Sequence, residues 1–226
     1  MIHWKIDDGI GVVTFDSPHG NMLTLNDLQS FNKILSELSP NVEALLLEGS
    51  NHAFCTGVKV DSSEVAKTFE QLDCLLLQLY NLKIPVSIAL QGHAIGAGFL
   101  FLCCADYVYS VGSERMKFGL PEVKLALGVD ELMINLLHST LPLSIMEPLI
   151  SMGEYVNYRK MIEWKLIDEI TVDSPQEKCI IWMKERIRYK QSFCFCKQIM
   201  RKDACMKMAE AYRQSCYLEL VGLFHR

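Results

Sequence analysis

The run of residues 90–122, LQGHAIGAGFLFLCCADYVYSVGSERMKFGLPE, constrains this chain more than any other stretch. An apolar β-type segment, residues 86–90, enters a tight turn carrying Gly92, Gly96 and Gly98, and a helix-like apolar segment, residues 99–105, follows at once. Strand, glycine turn and helix start leave backbone N–H groups without acceptors at a helix N-terminus, where partial positive charge collects. Such a place can hold an anion or a developing oxyanion. Taken alone, the glycines equally fit close packing of helix on strand. A second strand-like run, residues 107–111, and then Phe118-Gly119-Leu120-Pro121-Glu122 bring a carboxylate just past a proline turn. The combination is more specific than a lone glycine turn.

Strand and helix alternate on either side of this stretch. Residues 10–15 read as a strand closed by Asp16-Ser17-Pro18, and residues 24–38 as a helix with Thr24 as its cap and Pro40 beyond its end. A second short strand, residues 42–47, precedes an amphipathic helix over residues 64–82 with Val65, Phe69, Leu72, Leu75, Leu76 and Leu79 on one side. This alternation argues for parallel strands joined by crossover helices. Beyond Glu122 the pattern predicts helices over residues 131–137, 143–152 and 157–166, one strand-like piece at 167–172, and a helical remainder over 175–226.

A chain of 226 residues can form one sizeable core, or a core with a helical extension, and 50% hydrophobic against 22% charged residues is ordinary for a globular protein. The formal net charge of -5 offers no broad footprint for a nucleic acid. Nine cysteines are many, yet Cys103-Cys104 lies in an apolar helix and Cys194-x-Cys196 has no second cluster at metal-ligand spacing. Scattered thiols without a secretory signal at Met1-Ile2-His3-Trp4 predict reduced core residues in a cytoplasmic protein, without disulfides or a metal. The apolar run over residues 86–104 contains Gln91, His93 and three glycines, which fits a buried strand–turn–helix rather than a membrane span. A soluble protein with no membrane partner is expected.

The segments GHAIGAGFLFLCCADYVY and MKFGLPEVKLALG resemble the core of the crotonase superfamily, the enoyl-CoA hydratase/isomerase family. Ala53-Phe54-Cys55-Thr56-Gly57-Val58-Lys59-Val60 stands where that family carries its F-x-x-G-x-D/K loop, and GIGVVTFDSPHGNMLTLNDLQSF has Pro18 and Asn21 in the expected places. The resemblance covers roughly residues 8–172. It implies an α/β fold, a spiral of ββα units over residues 1–140, followed by a C-terminal helical module over 141–226. In the family that module helps to build trimers or pairs of trimers and covers the site. Here it is expected to be shortened, lacking the final covering helix, and an apolar helix over residues 209–224 would be a liability in a monomer.

By the same resemblance, backbone N–H groups of Val58 and Ala97 hold a thioester carbonyl oxygen, and Gly57, Val60, Gly96, Gly98 and Leu100 contact substrate. Coenzyme A or phosphopantetheine would enter as part of the substrate, an acyl-CoA or acyl-carrier-protein thioester, with no separate cofactor. A typical hydratase of the family grips water between two glutamates. The first position falls on Leu100, and only Glu122 matches the second. A single glutamate can still carry a proton from C2 to C4 of a 3-enoyl thioester, so the pattern is similar to the family's Δ3,Δ2-enoyl-CoA isomerases.

Other residues keep two readings. The family's Pro-Gly-x-Gly turn reads Val129-Asp130-Glu131-Leu132, where Asp130 and Glu131 are an N-cap and a first-turn residue unless one supplies a second carboxylate. His93 could be a base but more simply packs in its turn, and His19 and Lys59 lie either near the CoA adenine or pyrophosphate or in solvent. Lys184, Arg186, Arg188 and Lys190 form a solvated face or a contact for a 3′-phosphate or an acidic carrier protein. An enoyl-CoA isomerase is the leading expectation. The alternatives are a lyase, dehydratase or decarboxylase, acting on carrier-bound polyketide intermediates, and an inactive subunit in which Leu100, Phe99 or Met133 blocks the acyl tunnel.

Overall fold

A computed structural model describes residues 1–50 and 53–215. The chain opens with a hairpin that the sequence reading left unassigned, β1 (Ile2–Asp7) against β2 (Ile10–Phe15). Asp8 and Gly9, with φ of 47° and 76°, make its two-residue turn, the left-handed geometry whose twist matches the strands. From β2 the sheet grows by parallel pairing through β3 (Ala44–Gly49), β5 (Val86–Leu90), β7 (Tyr107–Ser110) and β9 (Glu169–Ile170). The crossovers are α1 (Pro18–Asn21), α2 (Leu25–Ser36), α3 (Val65–Tyr80) and α4 (Ala97–Cys104). Of these α1 is a single turn, and Thr24 and Asp27 close a reciprocal capping box at the start of α2. The expected alternation of strand and crossover helix is therefore present.

Both faces of this sheet are buried along its inner strands, and the alternation along β2, β3 and β5 shows it, while the edge strands β1 and β9 are largely exposed. Val13, Phe15, Leu45, Leu47 and Ile88 face the main core, while Ile10, Val12, Ala44, Leu46 and Ala89 face a smaller cluster built on Cys179, Trp182 and Met183 of α8 (Pro175–Ile187). The intervening helices are α5 (Glu131–His138), α6 (Leu143–Met152) and α7 (Tyr158–Glu163).

A second, three-stranded parallel sheet consists of β4 (Ala53–Cys55), β6 (His93–Ile95) and β8 (Phe118–Gly119). The sequence carries no strand signature for any of the three, because two or three residues cannot display an alternating pattern. Phe15 joins the two sheets by meeting the rings of Phe54 at 5.3 Å and Phe101 at 5.8 Å. Every residue of α4 is buried, which explains its apolar sequence on all sides.

Helix α9 (Lys190–Gln214) lies against α3 and α5 and is tied to the core by charge. Lys197 Nζ reaches Asp106 Oδ2 at 2.6 Å and donates to the Ile84 carbonyl at 2.9 Å. Arg201 meets Asp106 Oδ1 at 2.9 Å and donates to the carbonyls of Tyr80, Cys104 and Ala105. The apolar helix expected over residues 209–224 lies outside the described residues beyond Ser215. Among the described residues eight cysteines are free, no metal-holding group of His, Cys, Asp and Glu occurs, and no helix is long and apolar enough to cross a membrane.

Candidate active site

Three loops converge where β6 becomes α4. Gly96 turns the chain at φ 56°, and a Cβ built there would stand 3.0 Å from Glu122 Oε1 and 3.4 Å from Gly57 Cα. A side chain at 96 would therefore wedge apart the three segments. At Gly98 a Cβ would lie 2.1 Å from the Cys55 carbonyl oxygen, so α4 presses directly on β4. Gly98→Ala is expected to destabilise the fold by about 3 kcal/mol, although the same change in an open helix stabilises by about 1 kcal/mol. A urea midpoint unchanged or raised in that variant would contradict this packing.

Each loop contributes its own group. Val58 forms a parallel bridge with Leu23, in which Leu23 donates to the Gly57 carbonyl at 3.0 Å and Lys59 N–H donates to the Leu23 carbonyl at 2.7 Å. That pairing uses the groups on either side of Val58 and turns its own N–H the other way. Ala97 is the first residue of α4, where no intrahelical acceptor exists for its N–H. The β4 loop is steadied from behind by Asn21, whose side-chain amide donates to the carbonyls of Ser50 and Ala53 at 2.9 and 2.8 Å.

Val58, Ala97 and Glu122 line one cavity of about 110 Å³, together with Gly57, Val60, Gly96 and Leu100. Met22, Thr56, Phe69, Leu72, Ile95, Pro121, Leu125, Leu127 and Met133 complete the wall. Glu122 is the only titratable side chain among these lining residues. It opens a 3₁₀ turn, Glu122–Leu125, that Pro121 begins. Its Oε2 is buried with no hydrogen-bond partner among the described residues. Burial pushes its carboxyl up from an ordinary 4.5 to about 7, opposed only by its own backbone N–H.

Other candidate residues fall elsewhere. Gly98 packs within α4 and does not line the cavity; His19 and Lys59 are exposed on the adjoining loops, with the His19 carbonyl accepting from Thr56 Oγ1 at 3.3 Å. His93 Nδ1 accepts from the Lys117 N–H at 3.0 Å, a cross-strand role away from the cavity wall. Asp130 caps α5 through Met133 N–H at 2.9 Å, and Glu131 is exposed, so neither carboxylate lines the cavity. Burial raises the Asp130 carboxyl, opposed first by the Met133 N–H and then by a hydrogen bond with buried Asp73. Within the basic stretch, Lys184 pairs with Asp8 at 2.6 Å and Arg186 stacks on the Trp182 ring at 5.0 Å. Both belong to α8, which covers the face of the large sheet opposite the cavity.

Thr56, Ile95 and Pro121 adjoin recognisable motif residues and could have been read from them. Phe69 and Leu72 could not, because on α3 they have the same apolar signature as any core-facing position. Of the three side chains that the inactive-subunit alternative would have block a tunnel, Leu100 and Met133 are on the cavity wall and Phe99 is buried in the core and does not line it.

With these loops in place, the chain belongs to the enoyl-CoA hydratase/isomerase family, whose sequence profile matches residues 5–218. It is 34% identical over 134 residues to the fatty acid oxidation complex subunit alpha of Shewanella sp. strain W3-18-1, covering 54% of this chain and 19% of that protein. To the carnitinyl-CoA dehydratase of Salmonella typhi it is 25% identical over 140 residues, covering 61% of this chain and 53% of that one. The chain thus spans from a fifth to about half the length of these curated relatives. Its fold is similar to an enoyl-CoA hydratase of Mycobacterium marinum, with TM-score 0.83, 21% identity and coverage of 94% and 96% of the two chains. It is equally close to an enoyl-CoA hydratase of Bacillus halodurans, with TM-score 0.84, 18% identity and coverage of 100% and 95%. The crotonase-like α/β architecture is that of these structures.

Proposed function

We propose that the chain is an enoyl-thioester double-bond isomerase in which Glu122 alone moves the proton. The observation that carries this reading is the apolar wall around one carboxylate, with Leu100 where a second would be needed to activate water. The Glu122 carboxylate takes a proton from C2 of a 3-enoyl thioester, and the C2–H electron pair moves into a dienolate whose charge rests on the thioester oxygen. The N–H groups of Val58 and Ala97 donate to that oxygen, each such donor supplying about 3 kcal/mol or more in a dry site. Glu122 then returns the proton to C4, and the double bond shifts to C2–C3 with no atom gained or lost.

A base titrating at about 7 suits this step, since its proton affinity is matched to working pH. Glu122 must be ionised to begin, so kcat/KM is expected to rise with pH through about 7 and then level off. A profile already flat from pH 5 upward would assign the base role to another group. The defining experiment is a spectroscopic assay of 3-enoyl-CoA and 2-enoyl-CoA with the full chain. Conversion of the first to the second without hydration supports the reading, whereas hydration of 2-enoyl-CoA would make the chain a hydratase and overturn it.

An acyl-CoA is the preferred form of substrate. The exposed side chains of His19 and Lys59 lie on loops that adjoin the cavity and suit the phosphates of a CoA, whereas α8 with its basic residues packs on the other face of the large sheet. The free cysteines suit a reducing, cytoplasmic setting. Phe195, Ile199, Met200 and Met206 are exposed apolar side chains of α9 that a trimer or pair of trimers would have reason to cover.

A further inference from the structure

We infer that the site takes only short acyl chains, of about four carbons, and that Met133 sets the limit; this rests on the thioester-site reading above. Lining residues differ in exposure from one end of the cavity to the other. Leu125 is 62% exposed and Met22, Val58 and Val60 are half-buried, whereas Phe69, Leu72, Leu100 and Met133 are all 5% exposed or less. The first group is the mouth and the second the closed end. A carbonyl held by Val58 and Ala97 must send its thioester arm out through the mouth, because the arm is too large and too polar for the interior. The acyl chain then points at Phe69, Leu72 and Met133.

The room there is small. A dry apolar cavity of about 150 Å³ takes one benzene ring, so about 110 Å³ holds roughly four carbons, the carbonyl carbon among them. Pockets for larger ligands run to about 300 Å³ and above. Of the closing residues, Phe69 and Leu72 are fixed on the long helix α3, and Leu100 on the fully buried α4. Met133 differs. It is unbranched and stands at the start of α5, its backbone held by the Asp130 cap at 2.9 Å, so among the side chains that close the cavity it is the most adaptable one. This gives Asp130 a positioning role at the site although it does not line it.

The test measures binding rather than turnover, by calorimetry of the full chain with CoA and with butyryl-, hexanoyl-, octanoyl- and lauroyl-CoA. Butyryl-CoA is expected to bind at least about tenfold more tightly than octanoyl-CoA. Met133→Ala is expected to raise octanoyl relative to butyryl affinity by about tenfold, with the fold checked by a thermal melt. The series on the unmodified chain decides the matter even where that variant is too unstable to use. Octanoyl-CoA binding as tightly as butyryl-CoA, in a chain that isomerises 3-enoyl-CoA, would overturn the size limit and leave the proposed reaction standing. Acyl-CoAs binding no better than CoA itself would overturn both.

Discussion

Glu122→Gln is expected to slow conversion of a 3-enoyl-CoA to its 2-enoyl isomer by about 100- to 10,000-fold, the usual range for a positioned acid–base group. Glutamine keeps the shape of the side chain and both of its heavy-atom positions, so acyl-CoA affinity should change only a few-fold. A loss confined to KM would instead assign Glu122 to binding. The same variant carries a stability signature. In the folded chain the Glu122 carboxyl titrates at about 7, above its ordinary 4.5, so the fold binds an extra proton between those values. Stability from this group is therefore present below about 4.5 and is lost as pH rises through about 7. Relative to the unmodified chain, Glu122→Gln should become more stable at pH 8 than at pH 5, read as urea midpoints at the two values. Equal differences at both would mean that the carboxylate is solvated after all.

Asp106→Ala is expected to cost about 3–5 kcal/mol, the range for removing one partner of a buried ion pair. Asp106 satisfies two cations at once and also accepts the Val86 N–H at 2.8 Å. Lys197 is buried, and desolvation holds its ammonium below the usual lysine range while Asp106 opposes that shift. Without the carboxylate, both cations lie against carbonyls with no anion to balance them. The loss should appear as a lowered urea midpoint with helix α9 less protected from hydrogen exchange. Adding Lys197→Met should restore part of it, since an apolar side chain of similar length removes one stranded charge. A single-variant cost below about 1 kcal/mol would show that α9 is held by packing alone.

Much of the fold was legible because the deciding physics is local. The six residues of β2 form a β-type apolar run and Thr24 stands as a cap before the helical spacing of α2, whereas the Asp8-Gly9 hairpin turn and the partner role of Asp27 became visible only in the structure. The glycines of the β6–α4 turn were equally readable, since close approach and positive φ tolerate little else. By contrast β4, β6 and β8 left no pattern. Each pairs only through two or three residues whose partners are distant in sequence, and the hydrogen bonds that define them have no local correlate.

The site divides in the same way. By itself the sequence determined which chemical groups are available, a carboxylate after a proline turn and glycine turns at 57 and 96–98, and the resemblance placed Leu100 at the position of the family's first glutamate. Only the tertiary structure decided that these groups share one small cavity, that Glu122 is dry enough to titrate near 7, and that Asp130 caps a helix instead of facing the substrate. It also decided that Asp106 meets Lys197 and Arg201 across 91 residues or more. Identity and spacing along the chain fix local conformation and chemical type. Desolvation, cavity volume and charge pairing depend on distances between remote segments, which exist only once the sheets have closed around α4.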